Sequence, residues 1–250
     1  MEKQIRDILD GKNTGEKATS HRSILHEFLE SDLPPNEKSF TRLLDEGQAI
    51  VAAGLGTTAH YLTFVLYHIL ANPDVHRRLR QELAELIPDA EAHPPLHRLE
   101  QLPYLSAVVL EGFRVTHGMS TRVTRVSPDV PLVFHEWVIP AGTPVSMTAV
   151  FVHNNPKIFP EPDVFKPERW LKSPAERASL EKYLCNFSKG TRACLGMNLG
   201  RAEITMALAK VIGVFDFELF ETDRSDVEMA QDFVAPMPRP DSKGVRVIVK

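Results

Sequence analysis

The sequence predicts a mainly helical fold with small β-sheets. Residues 47–73 form a run of 27 residues without Asp, Glu, Lys or Arg, which is long enough for one long apolar helix. Apolar residues recur with helical spacing in three further segments, 73–87, 104–116 and 195–214. Nine of the 19 prolines fall within residues 128–174, so this part of the chain is expected to be extended and irregular rather than helical.

The local patterns divide the chain into a lead and a folded domain. We expect residues 1–22 to be a polar, flexible lead and residues 23–250 to form the domain. Five helices are predicted: one over 23–31, a long one from Ser39 or Thr41 to about Leu70, an amphipathic one over 73–87, one over 104–116 opened by Pro103, and one over 195–214. Short strands are predicted within 132–150 and over 245–249. Loops are predicted over 154–174 and 187–196.

The composition is that of a folded protein. Of 250 residues, 43% are apolar and 25% are charged, which excludes wholesale disorder. The net charge of −4 gives no electrostatic case for nucleic acid as a partner. Two cysteines, Cys185 and Cys194, exclude a disulfide scaffold and indicate an intracellular compartment. The first 17 residues lack an apolar core, so we expect neither a signal peptide nor a membrane anchor.

The uncharged run over residues 47–73 is also long enough to span a bilayer. His60 and His68 lie within it, and Gly54 and Gly56 interrupt its middle, which weakens a membrane-spanning interpretation. No basic cluster or aromatic belt flanks the run. We therefore favour a long helix buried in a protein core over a membrane span.

The strongest candidate for chemistry is the segment 187–196, which we call the cysteine loop. Its Cys194 comes just before a predicted helix, where free backbone N–H groups and the helix dipole favour an anion. Lys189 and Arg192 add positive charge, and together these features favour a thiolate over a neutral thiol. The sequence therefore predicts a thiolate or a thiolate ligand at Cys194.

Two other interpretations of the cysteine loop remain open. A buried, inert cysteine is the usual role of an isolated Cys residue, but basic neighbours and glycines argue against it here. Gly190 and Gly196 allow close approach of a flat or bulky ligand to the backbone. A zinc site is disfavoured because Cys185 and Cys194 are nine residues apart and no His lies nearby at ligand spacing.

Glu111 and Arg114 lie three residues apart on one face of a predicted helix. On a solvent-exposed face such a pair contributes only a few tenths of a kcal/mol. The surrounding helix is mostly apolar, which indicates a buried pair, and buried ions need a full set of hydrogen-bond partners. Arg169 is the candidate for the third charged group.

The segment 53–58 contains two glycines and two threonines within the long apolar helix. Gly54 and Gly56 partly fit a dinucleotide-binding pattern, with Asp74 at 20 residues from Gly54. That acid should end a second strand, and no strand pattern precedes Asp74, which argues against NAD(P) binding. The preferred interpretation is a ligand held against the helix backbone with the hydroxyl of Thr57 or Thr58 directed at it.

In order and spacing, these motifs resemble the C-terminal half of a cytochrome P450, a haem-thiolate monooxygenase. The resemblance runs from about Phe28 to the end of the chain. The cysteine loop matches the family pattern F-x-x-G-x-R-x-C-x-G without a departure. Glu111, Arg114 and Arg169 match the family's E-x-x-R and P-E-R triad. Residues 53–58 resemble the oxygen-binding stretch of its long central helix.

The resemblance implies a cofactor, heme b, and a set of residues that hold it. The implied cofactor-binding residues are Phe187, Gly190, Arg192, Cys194, Gly196 and Arg125. Cys194 would be the axial ligand of the haem iron. Arg192 would pair with one haem propionate, and Arg125, or alternatively Arg122, with the other. Phe187 would pack beside the haem near the sulfur.

The resemblance also implies a catalytic alcohol and a substrate site. Thr57 matches the residue that helps to deliver protons to bound O2, but Gly56 stands where many members have an acid. The positions that would contact substrate are Ala53, Gly54, Met119, Ser120, Phe233 and Val234. Their small or apolar character suits a hydrophobic organic substrate.

The function implied is insertion of one oxygen atom from O2 into such a substrate, with electrons from an NADPH-dependent reductase. Two segments, 25–28 and 32–35, resemble filamentous-fungal members that oxidise secondary metabolites. Family members associate with the endoplasmic reticulum membrane, although we expect no anchor here. We also expect the long helix to expose large apolar patches, because the early sheet and helices of the family are missing. The alternative is a non-catalytic remnant that binds haem weakly or not at all; a membrane-spanning or NAD(P)-binding helical protein is disfavoured.

Overall fold

The computed structural model describes residues 1–10, 12 and 23–250, which divide into two compact units, 1–56 and 57–250. The helices are α1 (Glu2–Leu9), α2 (Ile24–Glu30), α3 (Phe40–Leu70), α4 (Pro73–Leu83), α5 (Leu96–Glu100), α6 (Pro103–Thr116), α7 (Ala149–His153), α8 (Pro174–Glu181) and α9 (Met197–Val214). Single 3₁₀ turns occur at Pro35–Lys38, Pro167–Trp170, Gly190–Arg192 and Arg224–Asp226. The mainly helical fold class is confirmed.

The strands form small antiparallel pairs. They are β1 (Arg125–Val126), β2 (Leu132–Phe134), β3 (Trp137–Ile139), β4 (Pro144–Val145), β5 (Phe217–Leu219), β6 (Gln231–Phe233), β7 (Ala235–Met237) and β8 (Val247–Val249). The pairs are β1 with β4, β2 with β3, β5 with β8 and β6 with β7. Sheets of this size add little core of their own, so helix packing provides most of the stability.

The first unit contains a helix where the sequence predicts a flexible lead. Helix α1 covers Glu2–Leu9, and Ile5 is only 1% exposed. Arg6 stacks over the ring of Phe40 at 4.2 Å from its centroid, and Leu43 is likewise buried. The predicted lead therefore contains a helix over these residues, in which Ile5 is buried and the Arg6 cation has a partner on α3. Residues 11 and 13–22 of that lead lie outside the described part of the chain.

The core of the second unit forms around α6. Buried apolar side chains from the C-terminal end of α3 and from α4, α6 and α9 pack into one cluster, which includes Val65, Ile69, Leu79, Leu83, Leu105, Val108, Leu208 and Ile212. Helices α3 and α6 touch at Gly112, where an added Cβ would lie 2.1 Å from the hydroxyl oxygen of Tyr61. That hydroxyl donates a hydrogen bond to the Val109 carbonyl at 2.7 Å. Gly112 is thus required by a close approach.

Helix α3 is buried only in part, which corrects the prediction of a helix enclosed in a core. Its C-terminal third, from Tyr61, packs into the core of the second unit, whereas residues 51–57 are exposed. Leu55 is 72% exposed, and a Cβ at Gly54 or Gly56 would meet no atom within 4 Å. The apolar run of α3 is therefore longer than the part of it that other described residues cover. This matches the expected exposed apolar patches.

By length and composition alone, α3 is also able to cross a membrane. It is 31 residues long, and 17% of its most apolar 18-residue window is buried. Within the described residues it is the one helix that meets these criteria. A core helix of a soluble protein satisfies the same criteria, so this observation does not distinguish the two interpretations.

Several short elements were not predicted from the sequence. Among them, α8 has a clear local signal, because Ser173 and Glu176 form a reciprocal capping box and Pro174 occupies the first helical position. The strands β5, β6 and β7 have three residues each, too few for a visible alternation of apolar residues. Short strands are identified by their partners rather than by their own sequence.

Candidate functional site

Glu111 is the centre of a buried ion cluster, which we call the Glu111 cluster and which also contains Arg114, Arg169 and Trp170. Its Oε1 accepts from Arg114 Nη2 at 2.7 Å and from Arg169 Nε at 3.0 Å. Its Oε2 accepts from Arg114 Nε and Trp170 Nε1, at 3.0 and 2.9 Å. The structure therefore brings together the three charged residues named from the sequence and adds Trp170, whose position beside Arg169 was the available signal.

The two guanidinium groups of the cluster are satisfied by backbone carbonyls. Arg114, which is fully buried, donates to the carbonyls of His153, Pro162 and Val164 at 2.8–3.3 Å. Arg169 donates to the carbonyls of Pro160, Glu161 and Val164 at 2.8–3.2 Å. Because every charge has a partner of opposite sign and further hydrogen bonds, the requirement for burying ions is met. The cluster holds α6 against the irregular segment before α8.

His153 connects the Glu111 cluster to the chain that leads into the cysteine loop. Its carbonyl accepts from Arg114 at 3.3 Å, and its Nε2 accepts from the backbone N–H of Cys185 at 3.0 Å. A backbone N–H only donates, so Nε2 carries no hydrogen and the neutral ring is protonated at Nδ1. That Nδ1 lies 3.4 Å from Nδ1 of His117. The sequence analysis did not identify this histidine pair, because its members are 36 residues apart.

Both imidazoles of this pair are held in the neutral form. Burial, together with the nearby His117 and Arg114, lowers the pKa of His153 to about 3. Burial lowers the pKa of His117 to about 4, with Arg114 and His60 acting in the same direction. The Arg114 backbone carbonyl partly opposes these effects for both rings. At neutral pH the pair is a fixed hydrogen-bonding contact, not a charge.

The segment ahead of the cysteine loop is also fixed against α6. Asn186 donates from Nδ2 to the carbonyl of Phe113 at 2.5 Å. Gly118 has a φ of 72°, and a Cβ there would lie 2.9 Å from the Cα of Asn186. Only glycine combines that backbone conformation with such a close approach. The start of the cysteine loop is therefore positioned by contacts from three sides.

Cys194 lies between the 3₁₀ turn at Gly190–Arg192 and the first residue of α9, Met197. Its backbone N–H donates to the carbonyl of Phe187 at 2.8 Å, which closes the loop. The cysteine is exposed, and so is Leu195 at 85%. Its sulfur therefore stands near the N-terminus of an 18-residue helix.

The basic residues around the loop differ in their contacts. The ammonium of Lys189 donates to the Lys182 carbonyl at 2.6 Å, so it is already engaged by the backbone. Arg125 in β1 donates to the Ser188 hydroxyl at 3.3 Å, which places its guanidinium beside the loop. Arg192 makes no hydrogen bond or ion pair within the described residues. Arg122, the alternative to Arg125, lies 6.0 Å from the ring centroid of Phe151.

The phenyl ring of Phe187 forms the inner wall of the loop. It meets the ring of Phe113 edge to face at a centroid distance of 5.1 Å. The guanidinium of Arg201 lies over both rings, at 5.6 Å from Phe187 and 5.7 Å from Phe113. Phe187 thus belongs to the side of the loop that packs on α6, while Cys194 belongs to the exposed side.

These residues fit a flat, anionic macrocycle that takes one sulfur ligand from the protein. The sulfur of Cys194 is accessible, the Arg192 cation has no partner in the described chain, and a Cβ at Gly190 would meet nothing within 4 Å. The described residues contain no group of three or more His, Cys, Asp or Glu side chains able to hold a bare metal ion. The donor set suits an iron ion whose other ligands belong to a macrocycle.

The structure places four of the six expected substrate-contact residues at one location in the second unit. The β6–β7 hairpin turns at Val234, and the carbonyl of Val234 accepts from the backbone N–H of Ser120 at 2.8 Å. Phe233 is 70% exposed, Val234 58% and Met119 39%. These residues therefore form a mostly apolar surface that is accessible to a ligand.

The remaining predicted site residues lie in the middle of α3. Ala53 and Gly54 belong to the first unit, and both are exposed. Thr57 is the first residue of the second unit, is also exposed, and takes part in interactions within the described chain. The roles of all three residues remain predictions.

Comparison with known proteins gives one consistent result. The family model described as Cytochrome P450 matches residues 2–243 of the chain. The chain is 44% identical to "Cytochrome P450 monooxygenase MO6277" of Ascocoryne sarcoides, over 99% of the chain and 50% of that relative. It is 46% identical to "Cytochrome P450 monooxygenase sdnE" of Sordaria araneosa, over 92% of the chain and 45% of the relative.

A third relative is named for a specific activity. The chain is 40% identical to "Tryptophan 6-hydroxylase fscE" of Fusarium equiseti, over 100% of the chain and 49% of the relative. The chain thus spans about half the length of the curated relatives it matches. All three relatives are fungal proteins.

Proposed function

Because the chain belongs to the cytochrome P450 family, we propose that it is the haem-binding half of a haem-dependent monooxygenase. The single observation that supports this most is the exposed sulfur of Cys194 at the N-terminus of α9, in a loop that carries the full family motif. When bound, heme b supplies the activation of O2 for insertion of one oxygen atom into a hydrophobic organic substrate. Electrons come from a separate NADPH-dependent reductase in this proposal.

In the proposed site, the residues of the cysteine loop bind and orient the cofactor. The Cys194 thiolate ligates iron, stabilised by the free N–H groups at the start of α9. The guanidinium groups of Arg192 and Arg125 pair with the two propionate carboxylates, since one is unengaged and the other lies beside the loop. Phe187 is proposed to pack beside the haem, and Gly190 keeps the backbone open to a flat ligand.

Thr57 and the apolar residues have a different task from the cysteine loop. Thr57 handles a proton, and the apolar residues hold substrate. We assign to Thr57 Oγ1 the holding of a proton and an ordered water, because Gly56 offers no carboxylate for this purpose. Ala53 and Gly54 on α3 are each proposed to contact substrate. In the second unit the proposed substrate contacts are Met119, Ser120, Phe233 and Val234, of which Met119, Phe233 and Val234 present exposed apolar side chains that exclude water from a hydrophobic ligand.

The exposure of the site favours a second candidate function. Leu195 is 85% exposed and Leu199 is 64% exposed, beside an exposed Cys194. A ligand seated there makes fewer apolar contacts than in an enclosed pocket, which lowers its affinity. The second candidate is therefore a folded chain that binds haem weakly and does not catalyse. Membrane association, which the family shows at the endoplasmic reticulum, belongs to the proposal for the whole enzyme.

The test is the absorption spectrum of the full chain, expressed with a haem precursor, reduced and exposed to CO. We expect the red-shifted Soret band of thiolate-ligated haem, and we expect Cys194→Ala to abolish it. Cys185→Ala is the matched control, because Cys185 is half-buried and its thiol donates to the Tyr183 carbonyl at 3.3 Å.

Two results would count against the proposal. An unchanged band in Cys194→Ala would exclude this sulfur as the ligand. A folded wild-type chain that takes up no haem would favour the second candidate function.

A further inference from the structure

Two segments of the proposed substrate site meet at Ser120, a residue that hydrogen bonds hold in place within the second unit. Ser120 is only 4% exposed, and its carbonyl accepts from the buried hydroxyl of Thr148 at 2.7 Å. Its backbone N–H donates to the carbonyl of Val234 at 2.8 Å. The β6–β7 hairpin is therefore attached through its turn to the segment that follows α6.

One carboxylate oxygen strengthens this attachment. Oδ1 of Asp232 accepts from Ser120 Oγ and from Thr121 Oγ1, both at 2.7 Å. The same oxygen accepts from the backbone N–H of Val234 at 3.1 Å. The hydrogen bonds from the two hydroxyl groups hold the pKa of Asp232 below its ordinary value, so the side chain is a carboxylate at neutral pH.

The attachment maintains a strained turn. Phe233 pairs directly with Ala235, so Val234 alone makes the turn, and its φ is 71°. A β-branched residue in this region is an outlier, and one-residue turns of this kind are rare and strained. Such strain persists where surrounding contacts over-determine the backbone. Here the bonds from Val234 to Asp232 and Ser120 do so, and they keep the apolar hairpin tip, Phe233 and Val234, exposed.

We propose that Asp232 is a positioning residue that fixes the hairpin tip against Ser120 and thereby selects which hydrophobic ligands the site accepts. Asp232 need not touch the ligand, because its three hydrogen bonds set where Phe233 and Val234 stand. This inference rests on the proposed function, in which these two side chains contact substrate. It adds a polar residue, outside the apolar contacts, that controls specificity.

The test compares two probes that bind haem iron through the same nitrogen, imidazole and 4-phenylimidazole, on the haem-loaded full chain. The ratio of their dissociation constants, measured from Soret shifts, reports the apolar contacts of the phenyl group alone. We expect Asp232→Ala to lower the preference for 4-phenylimidazole by about tenfold, a usual effect of altered apolar contact in a pocket. Asp232→Asn keeps Oδ1 as an acceptor and should retain most of the preference.

The matched control is Asp223→Ala. Asp223 is likewise exposed and accepts from the Ser225 hydroxyl and N–H at 2.6 and 2.8 Å, but it caps a 3₁₀ turn instead of the hairpin. Its removal should leave the ratio unchanged. An unchanged ratio in Asp232→Ala, or an equal loss in Asp223→Ala, would overturn the inference.

A second measurement separates this inference from the proposed function. Amide hydrogen exchange at Ser120 and Val234 needs no haem, and Asp232→Ala should accelerate it by about tenfold or more, while Asp223→Ala should not. Absence of any Soret band in the wild type would count against the proposed function. Unchanged exchange in Asp232→Ala would instead refute the positioning role, whether or not haem is bound.

Discussion

The Glu111 cluster and the cysteine loop show opposite ways of using charge in the second unit. In the cluster, Glu111 and Arg114 are fully buried, and partners within the chain satisfy their charges. In the loop, Cys194 is exposed, and the Arg192 cation has no partner among the described residues. The comparison indicates that residues of the chain satisfy the charges of the Glu111 cluster, whereas the cysteine loop retains groups that can bind a ligand.

The two regions are nevertheless coupled through one residue. His153 accepts from Arg114 with its carbonyl and from the Cys185 N–H with its ring. Damage to the cluster should therefore displace the start of the loop, whereas changes at the exposed side of the loop should leave the cluster intact. Three variants test this contrast.

The largest effect is expected for Glu111→Gln. The change preserves size but leaves the buried cations of Arg114 and Arg169 without a counter-charge, which costs about 3–5 kcal/mol. Urea unfolding of the chain without haem measures this loss. As a control, Glu168→Gln removes a half-exposed carboxylate that pairs with Arg78 at 3.1 Å, and we expect at most about 1 kcal/mol. Equal losses in the two variants would contradict the contrast between a closed and an open region.

An intermediate effect is expected on acidification. Burial lowers the pKa of five histidines, which are His60, His68, His76, His117 and His153. Below about pH 6.5 the unfolded chain binds protons that the folded chain does not, so the free energy of unfolding falls as pH falls. This contribution to stability is present above about pH 6.5 and, for His153, is lost progressively down to its folded pKa of about 3.

His153→Gln tests the contribution of the linking residue. The variant removes one titrating group while an amide oxygen can accept from the Cys185 N–H. Between about pH 6 and 4.5, the slope of unfolding free energy against pH should decrease by about 1 kcal/mol per pH unit. Urea unfolding at several pH values gives both slopes. Identical slopes for the variant and the wild type would show that His153 titrates normally in the folded protein.

The smallest effect on stability is expected for Arg192→Gln. The side chain makes no bond within the described residues, so the free energy of unfolding should change by no more than about 0.5 kcal/mol. Haem affinity should fall by about fivefold, the equivalent of one partly exposed ion pair. Haem titration measures this change, and Arg239→Gln, at a half-exposed arginine outside the loop, is the control. A large loss of stability in Arg192→Gln would place this residue in the scaffold instead.

The sequence was most informative where neighbouring positions carry the signal. The spacing of Glu111 and Arg114 on one helix face, and the apolar residues around them, were sufficient to infer a buried pair that needs a third charge. The cysteine loop was recognisable because five of its positions fall within ten residues. The boundaries of α3, α4, α6 and α9 were predictable to within a few residues.

Two features of the structure depended on which residues pack together. The first residues form α1, which no local pattern predicts, and the Arg6 cation has a partner on α3. The middle of α3 is exposed although its sequence is apolar, because burial requires other residues to cover it. An apolar composition favours burial, but it does not determine whether other residues are present to cover the helix.

The sequence alone predicted the helical class, the family motifs and the cysteine that we propose to hold iron. The tertiary structure was needed to show that Trp170 completes the Glu111 cluster, that His153 connects it to Cys185, and that Asp232 accepts a hydrogen bond from Ser120. The physical reason is the range of the interactions. Helical periodicity and motif spacing act over a few residues, whereas these contacts join positions 32 to 112 residues apart and exist only once the chain has folded.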